Sequence, residues 1–232
     1  MCAAREGPLG LAEAVERLRA FYGAPTRPPT SDPFELVLLE NVAYLATPER
    51  RRDAFEQLER KIGTSPASIL RATGDALESV TARGIMRAKF AGKLRECARI
   101  AIDEFDGDLG TALRGPLDGA KRALRRFPGI GEPGAEKILL FAGRHALLAP
   151  ESNGLRVLVR LGAVPEQKSY ARMYADSRIA AKVLPARTRV LQEAHLLLQQ
   201  HGQTLCKRSA PHCEECPLAG GCAYALRGGR RA

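Results

Sequence analysis

The chain has 232 residues, 45% of them apolar, and a formal net charge of +10. That composition excludes a disordered chain, and the length allows one large domain or two small ones with real cores. No apolar run approaches the roughly 20 residues that span a bilayer, and "MCAAREGPLG" lacks the basic and apolar regions of a secretory signal, so a cytoplasmic protein without a membrane partner is expected. The positive charge points to a polyanion such as nucleic acid, although arginine outnumbers lysine 28 to 8 and a compositional bias would produce the same excess.

Apolar spacing near 3.6 residues recurs along the chain and strand-like alternation is scarce, so the fold class is all-α. Leu11, Val15, Leu18 and Tyr22 fall on one helical face. "RPPTSDP" (27–33) breaks the chain, with Asp32 as N-cap and Pro33 at the first helical position. "PFELVLLENVAYLA" (33–46) is apolar nearly all round and predicts a buried helix. Further helices are predicted at 49–61, 66–72, 75–82, 87–105, 117–126, 135–144 and about 185–200, the last closed by Gly202. The tail "RGGRRA" is expected to be disordered.

"FPGIGEPGAEK" (127–137) has the form of a helix-hairpin-helix. Gly129 and Gly131 lack a Cβ, so the turn around Ile130 can approach another surface closely. Its amides and the following helix N-terminus suit a phosphate without reading a base. Lys121, Arg122, Arg125 and Arg126 add positive charge on the preceding helix. An ordinary corner between two helices would use the same glycines.

Four of the six cysteines, Cys206, Cys213, Cys216 and Cys222, lie within "CKRSAPHCEECPLAGGC". A reducing compartment disfavours disulfides there and favours metal. Four thiolates suit zinc or an iron–sulfur cluster; only one pair has the knuckle spacing of zinc, and the longer gaps favour the wider cluster. Cys2 reads as a terminal thiol and Cys97 as a small core residue.

The cysteine spacing, joined to the upstream hairpin, resembles the endonuclease III family of helix-hairpin-helix DNA glycosylases. "DPFELVLLENVAYLAT", "RGIMRAKFAGKLRECARI", "FPGIG", "RVLVRLG" and "HGQTLC" resemble successive segments of that family, covering nearly the whole chain. The resemblance implies a helical domain at 30–145 carrying the hairpin, and a cluster domain of 1–29 with 146–232, with a DNA groove between them. It implies a 4Fe-4S cluster on the four cysteines, mainly structural, in the loop 206–222. Lys207 and Arg208 would then touch DNA. Double-stranded DNA is the implied partner, a monomer the implied state, and base excision repair the implied process, at the nucleoid if the source is bacterial.

Cleaving a base from deoxyribose passes through a cationic sugar that a carboxylate stabilises. Aligning "RVLVRLG" puts Glu151 where the family has its catalytic aspartate; the simpler role for Glu151 and Ser152 is to cap the next helix. The lysine of bifunctional members is replaced by Pro133, so lyase activity is expected to be absent or weak, with Lys137 pointing elsewhere. Glu40 reads either as a buried acid bonded to backbone amides of a neighbouring helix or as a buried, unpaired one, and it resembles the glutamate with which the adenine glycosylase branch protonates the departing base. Asn153 matches that branch's asparagine, and Tyr44, four residues beyond Glu40, is expected to share the pocket. The sequence stops after the cysteine loop, where the adenine branch continues into a further domain, so short thymine mismatch glycosylases are equally close in form. Ile85 stands where the family inserts an apolar wedge. Leu45 replaces a glutamine that pairs with the orphaned base, which implies weak opposite-base preference. The expected function is a monofunctional glycosylase, against two alternatives: a bifunctional glycosylase/AP lyase, or a lesion-sensing binder without catalysis.

Overall fold

The computed structural model describes residues 8–229; Cys2 and the last three residues of the tail lie outside them. Every regular element among the described residues is helical, and they divide into two units, 28–145 and a second made of the N-terminal segment to Arg27 with 146–232.

The second unit contains α1 (Leu11–Tyr22). The other unit begins with α2 (Pro33–Asn41), α3 (Pro48–Lys61) and α4 (Pro66–Arg71). These three share one start device, an oxygen side chain followed by proline. Asp32 accepts from the Phe34 and Glu35 amides, Thr47 from Arg50 and Ser65 from Ser68. The cap satisfies orphan donors, and proline at the first position has no donor to lose. There follow α5 (Gly74–Thr81), the long α6 (Arg87–Phe105), a single turn α7 (Leu109–Ala112), α8 (Leu117–Leu124) and α9 (Glu132–Phe141). The long α6 touches α2, α4, α5 and α7, and its Phe90, Leu94 and Ala98 enter a core with Leu38, Phe55, Leu77 and Phe127.

The other unit closes with α10 (Ser152–Leu161), α11 (Tyr170–Ala180), α12 (Thr188–Thr204) and a last turn α13 (Ala223–Leu226), with short 3-10 turns at Ala181–Val183, Cys213–Glu215 and Ala219–Gly221. Its centre is the packing of α10 and α1 on α12, through Leu18, Leu155, Leu158, Leu191 and Leu198.

Three expectations need correction. The apolar helix from Pro33 ends at Asn41 rather than at residue 46, because the chain turns through Tyr44 to Leu45, which sits in the left-handed region at φ 53°. Gly202 does not close α12, which runs on to Thr204; it instead lets α12 press on α10, since a Cβ there would fall 2.5 Å from the Asn153 carbonyl oxygen. The tail from Arg227 is ordered through Gly229, whose amide donates to the Tyr224 carbonyl at 3.0 Å.

Candidate functional site

The hairpin joins α8 to α9. Gly129 has φ +78°, open to glycine without strain, and a Cβ there would meet Asn41 Oδ1 at 2.9 Å. The Gly131 flank is open, with nothing within 4 Å of a Cβ position. Ile130, a candidate DNA-binding residue of the turn, has its side chain buried, and its amide donates to the Phe127 carbonyl at 3.2 Å rather than pointing outward. Its apolar bulk holds the turn against the core, so the surface of the turn is glycine backbone.

The basic residues before the hairpin are mostly engaged internally. Lys121 is buried, with Nζ bridging Glu132 and the fully buried Glu136, the latter at 3.1 Å. Arg126 forks onto Glu104 at 2.8 and 2.9 Å, and Arg125 lies 3.7 Å from Glu132. Pro133 is the second residue of α9, where its missing amide costs nothing.

Glu40 is not the unpaired acid that one reading of its apolar neighbours predicts. Lys137 Nζ donates to its Oε2 at 2.7 Å, and Arg51 lies 3.7 Å from the same oxygen. One α9 turn beyond Pro133, Lys137 therefore points to Glu40. Tyr44 does not continue the Glu40 face, because the helix has ended; its ring stacks on Phe90 at 4.6 Å. Ile85 is no core isoleucine but 52% exposed, and Leu45 is 72% exposed. Their two loops are bonded together: the Ile85 amide donates to the Tyr44 carbonyl at 3.1 Å, and Gly84 packs against the Tyr44 backbone. Leu45 and Met86 both take left-handed backbone, at a cost of roughly 1–2 kcal/mol each.

In the other unit Glu151 is the N-cap of α10, as the capping role predicted. Its Oε1 accepts from the Gly154 amide at 2.8 Å and its Oε2 from Asn153 Nδ2 at 2.8 Å. Asn153 Oδ1 in turn accepts from Arg156 Nη2 at 2.8 Å, and Arg156 also donates to the carbonyls of Gly202 and Cys206. The carboxylate is thus fixed in orientation by a chain of side chains that ends at the first cysteine of the loop. Burial first, and then the Glu151 charge, push the Tyr170 phenol upward.

Cys206, Cys213, Cys216 and Cys222 line one cavity of about 370 Å³, counting space open to solvent, together with Arg160, His201 and Leu218. Tetrahedral zinc, with Zn–S of about 2.3 Å, draws its sulfurs within about 4 Å of one another. Among the described residues no three cysteine sulfurs lie within 4.8 Å of one another; the trio that does is His212, Glu214 and Glu215. Burial pushes the Cys216 thiol up to about 11 and Cys213 upward, so their thiolates need nearby positive charge. Cys97 is fully buried in the other unit, its thiol pushed up to about 12 by burial.

Arg160 organises this loop, and sequence reasoning did not find it. Its guanidinium lies over the Tyr224 ring and donates to Cys206 Sγ at 3.4 Å, to the Lys207 carbonyl at 2.7 Å and to the Arg208 carbonyl at 3.0 Å. Lys207 and Arg208 keep their side chains exposed while their backbone is held. The signal missed was a second arginine, four residues after Arg156 and on the inner face of the helix in "LRVLVRLG".

No protein-family model matches the chain. It is 24% identical over 204 residues to endonuclease III of Thermotoga maritima, covering 86% of this chain and 87% of that one. It is 22% identical to the thymine/uracil-DNA glycosylase of Pyrobaculum aerophilum, covering 81% and 78%. A match of 29% identity to the DNA glycosylase/AP lyase ROS1 of Arabidopsis thaliana covers 65% of this chain but spans 12% of the length of that relative. Among solved structures, a trapped endonuclease III–DNA covalent intermediate superposes with a TM-score of 0.75 at 20% identity, over 95% and 97% of the two chains. A thermostable thymine-DNA glycosylase gives 0.73 at 17%, over 94% and 97%. With its helical architecture and its glycine hairpin, the chain has the fold of the endonuclease III-like helix-hairpin-helix DNA glycosylases and is similar to them in sequence along most of its length.

Proposed function

We propose that the chain is a monofunctional DNA glycosylase of base excision repair. It would break the bond between C1′ and a damaged or mismatched base; the base leaves with the electron pair and gains a proton, and water adds to C1′. The observation that carries this reading is the fixation of Glu151. Three hydrogen bonds anchor it, from the Gly154 amide to Oε1 and from Asn153 Nδ2 and, at 3.4 Å, Ser152 Oγ to Oε2, and a lone pair of Oε1 remains unused. A carboxylate held in advance stabilises a developing sugar cation without reorganising. Asn153 and Arg156 are positioning residues for it.

Glu40 and Lys137 act as a pair, the carboxylate aiming an ammonium that can hydrogen-bond a leaving base. A second reading rests on the same pair: Lys137 is a lysine close to the replaced family position, and an amine that attacks C1′ would give lyase chemistry. Ile85 and Leu45 serve as apolar wedges toward the base stack, and Tyr44 supports them from below through Phe90. Gly129, Gly131, Lys207 and Arg208 contact the phosphate backbone of double-stranded DNA, bound by a monomer.

We further propose a 4Fe-4S cluster held by Cys206, Cys213, Cys216 and Cys222, on the donor set and the spread of the sulfurs. Bound, it would supply a cross-link that fixes the loop carrying Lys207 and Arg208. The deciding experiment is a single-turnover assay on a panel of damaged and mismatched duplexes, comparing the native protein with Glu151→Gln. Abasic product from the native protein alone supports the reading. Binding without abasic product on any lesion leaves a lesion-sensing binder instead.

A further inference from the structure

The hairpin presents a problem of charge. Of the four basic residues that precede it, Lys121, Arg125 and Arg126 are paired with Glu132, Glu136 and Glu104. The fourth, Arg122, folds back along its own helix, its Nη2 near the Gly119 Cβ position at 3.9 Å, a turn away from the hairpin. Arg125 and Arg126 stay 56% and 63% exposed in their pairs, so a cation from another element would add to the charge beside the turn.

One stands on α6. Lys93 Nζ lies 3.5 Å from the Cβ position of Gly129, on the side of the turn where a side chain would project. It is partly exposed, and no carboxylate among the described residues lies within 4 Å of it. The ammonium sits over the Phe90 ring at 4.5 Å from the centroid, a contact that holds the long side chain in one place. Phe90 is buried and stacked with Tyr44, so the cation stands on a rigid base.

We infer that Lys93 is a DNA-phosphate ligand that completes the hairpin's backbone site, adding from α6 a cation that no carboxylate among the described residues holds. The Gly129 backbone and the ammonium would grip one phosphate together, the amides giving direction and the lysine giving charge. The inference rests on the glycosylase reading and adds a residue to it.

The test is an anisotropy titration of the full chain with a short undamaged duplex across a salt series, for the native protein, Lys93→Met and Lys93→Arg. Methionine keeps an apolar stem over Phe90 and removes the charge; arginine keeps the charge. One phosphate contact contributes about 0.9 to the slope of log affinity against log salt. On a fourfold rise in salt the native protein should therefore lose about 3.5-fold more affinity than Lys93→Met, with Lys93→Arg following the native slope. Parallel slopes for native and methionine proteins, or an arginine variant that behaves as methionine does, overturn the inference. A methionine variant that no longer melts cooperatively also overturns it, since Lys93 would then be structural. A native protein with no salt dependence at all removes the DNA reading itself, an outcome distinct from the others.

Discussion

Gly202→Ala tests how α10 and α12 of the cysteine-bearing unit carry the Glu151 site. In an ordinary helix interior, glycine to alanine gains about 1 kcal/mol from propensity. Here the new methyl would stand 2.5 Å from the Asn153 carbonyl oxygen and 2.8 Å from its carbonyl carbon and Cβ. These are mostly backbone atoms of α10, which cannot rotate aside, so α10 and α12 must separate. Overpacking of this kind costs about 1–3 kcal/mol, and contact with backbone belongs at the upper end. The net is a loss of about 1–2 kcal/mol, or roughly 2–8 °C in Tm for a chain of this size. Asn153 holds Glu151 and is held by Arg156, which also donates to the Gly202 carbonyl, so the shift passes directly to the carboxylate. Glycosylase rate should fall more than DNA affinity. Thermal melting by circular dichroism, run beside single-turnover kinetics, checks both. A rise in Tm with unchanged kinetics, the ordinary result for a helical glycine, would refute the close-packing argument.

Glu151→Gln should leave duplex affinity near native while the single-turnover rate falls by orders of magnitude, at a stability cost of about 1 kcal/mol for the weaker cap; retained turnover would remove Glu151 from the chemistry. Borohydride trapping on abasic duplex should give no covalent adduct; an adduct lost in Lys137→Met would establish the lyase reading instead. Anaerobically purified protein should be yellow-brown, with iron and visible absorbance lost in Cys206→Ser; a colourless native protein containing zinc would end the cluster assignment. Arg160→Met should lower both iron retention and duplex affinity, because one guanidinium holds Cys206 and the backbone of Lys207 and Arg208.

Much of the helical layout was legible because helix starts and breaks are written locally. Asp32–Pro33 marks its helix start in four residues, and α6 was readable from end to end because its apolar face repeats over nineteen. The short elements were not: α7 and α13 are single turns, too brief for any period to register. The convergence of the four cysteines on one cavity was legible from their spacing, and the capping position of Glu151 from the residues that follow it. What failed were claims about partners. Glu40 read, on one account, as unpaired because its sequence neighbours are leucine and valine, yet its cation stands 97 residues away on α9. Lys121 read as a surface charge because nothing in "DGAKRALRR" shows that two glutamates of the next helix enclose it. Ile130 read as part of a binding surface because the turn is conspicuous, whereas only burial distinguishes the residue that anchors such a turn from those that line it.

The enclosed Lys121 has a consequence for how ionic strength acts on the molecule. Counterions screen exposed charges first and reach buried pairs far less. Raising salt should strip the polyanion from exposed cations such as Lys93 while the Lys121–Glu136 bond, shut away between α8 and α9, keeps the hairpin in shape. Release from a duplex and loss of the native form are then separate events, and protein eluted in concentrated brine should rebind on dilution without refolding.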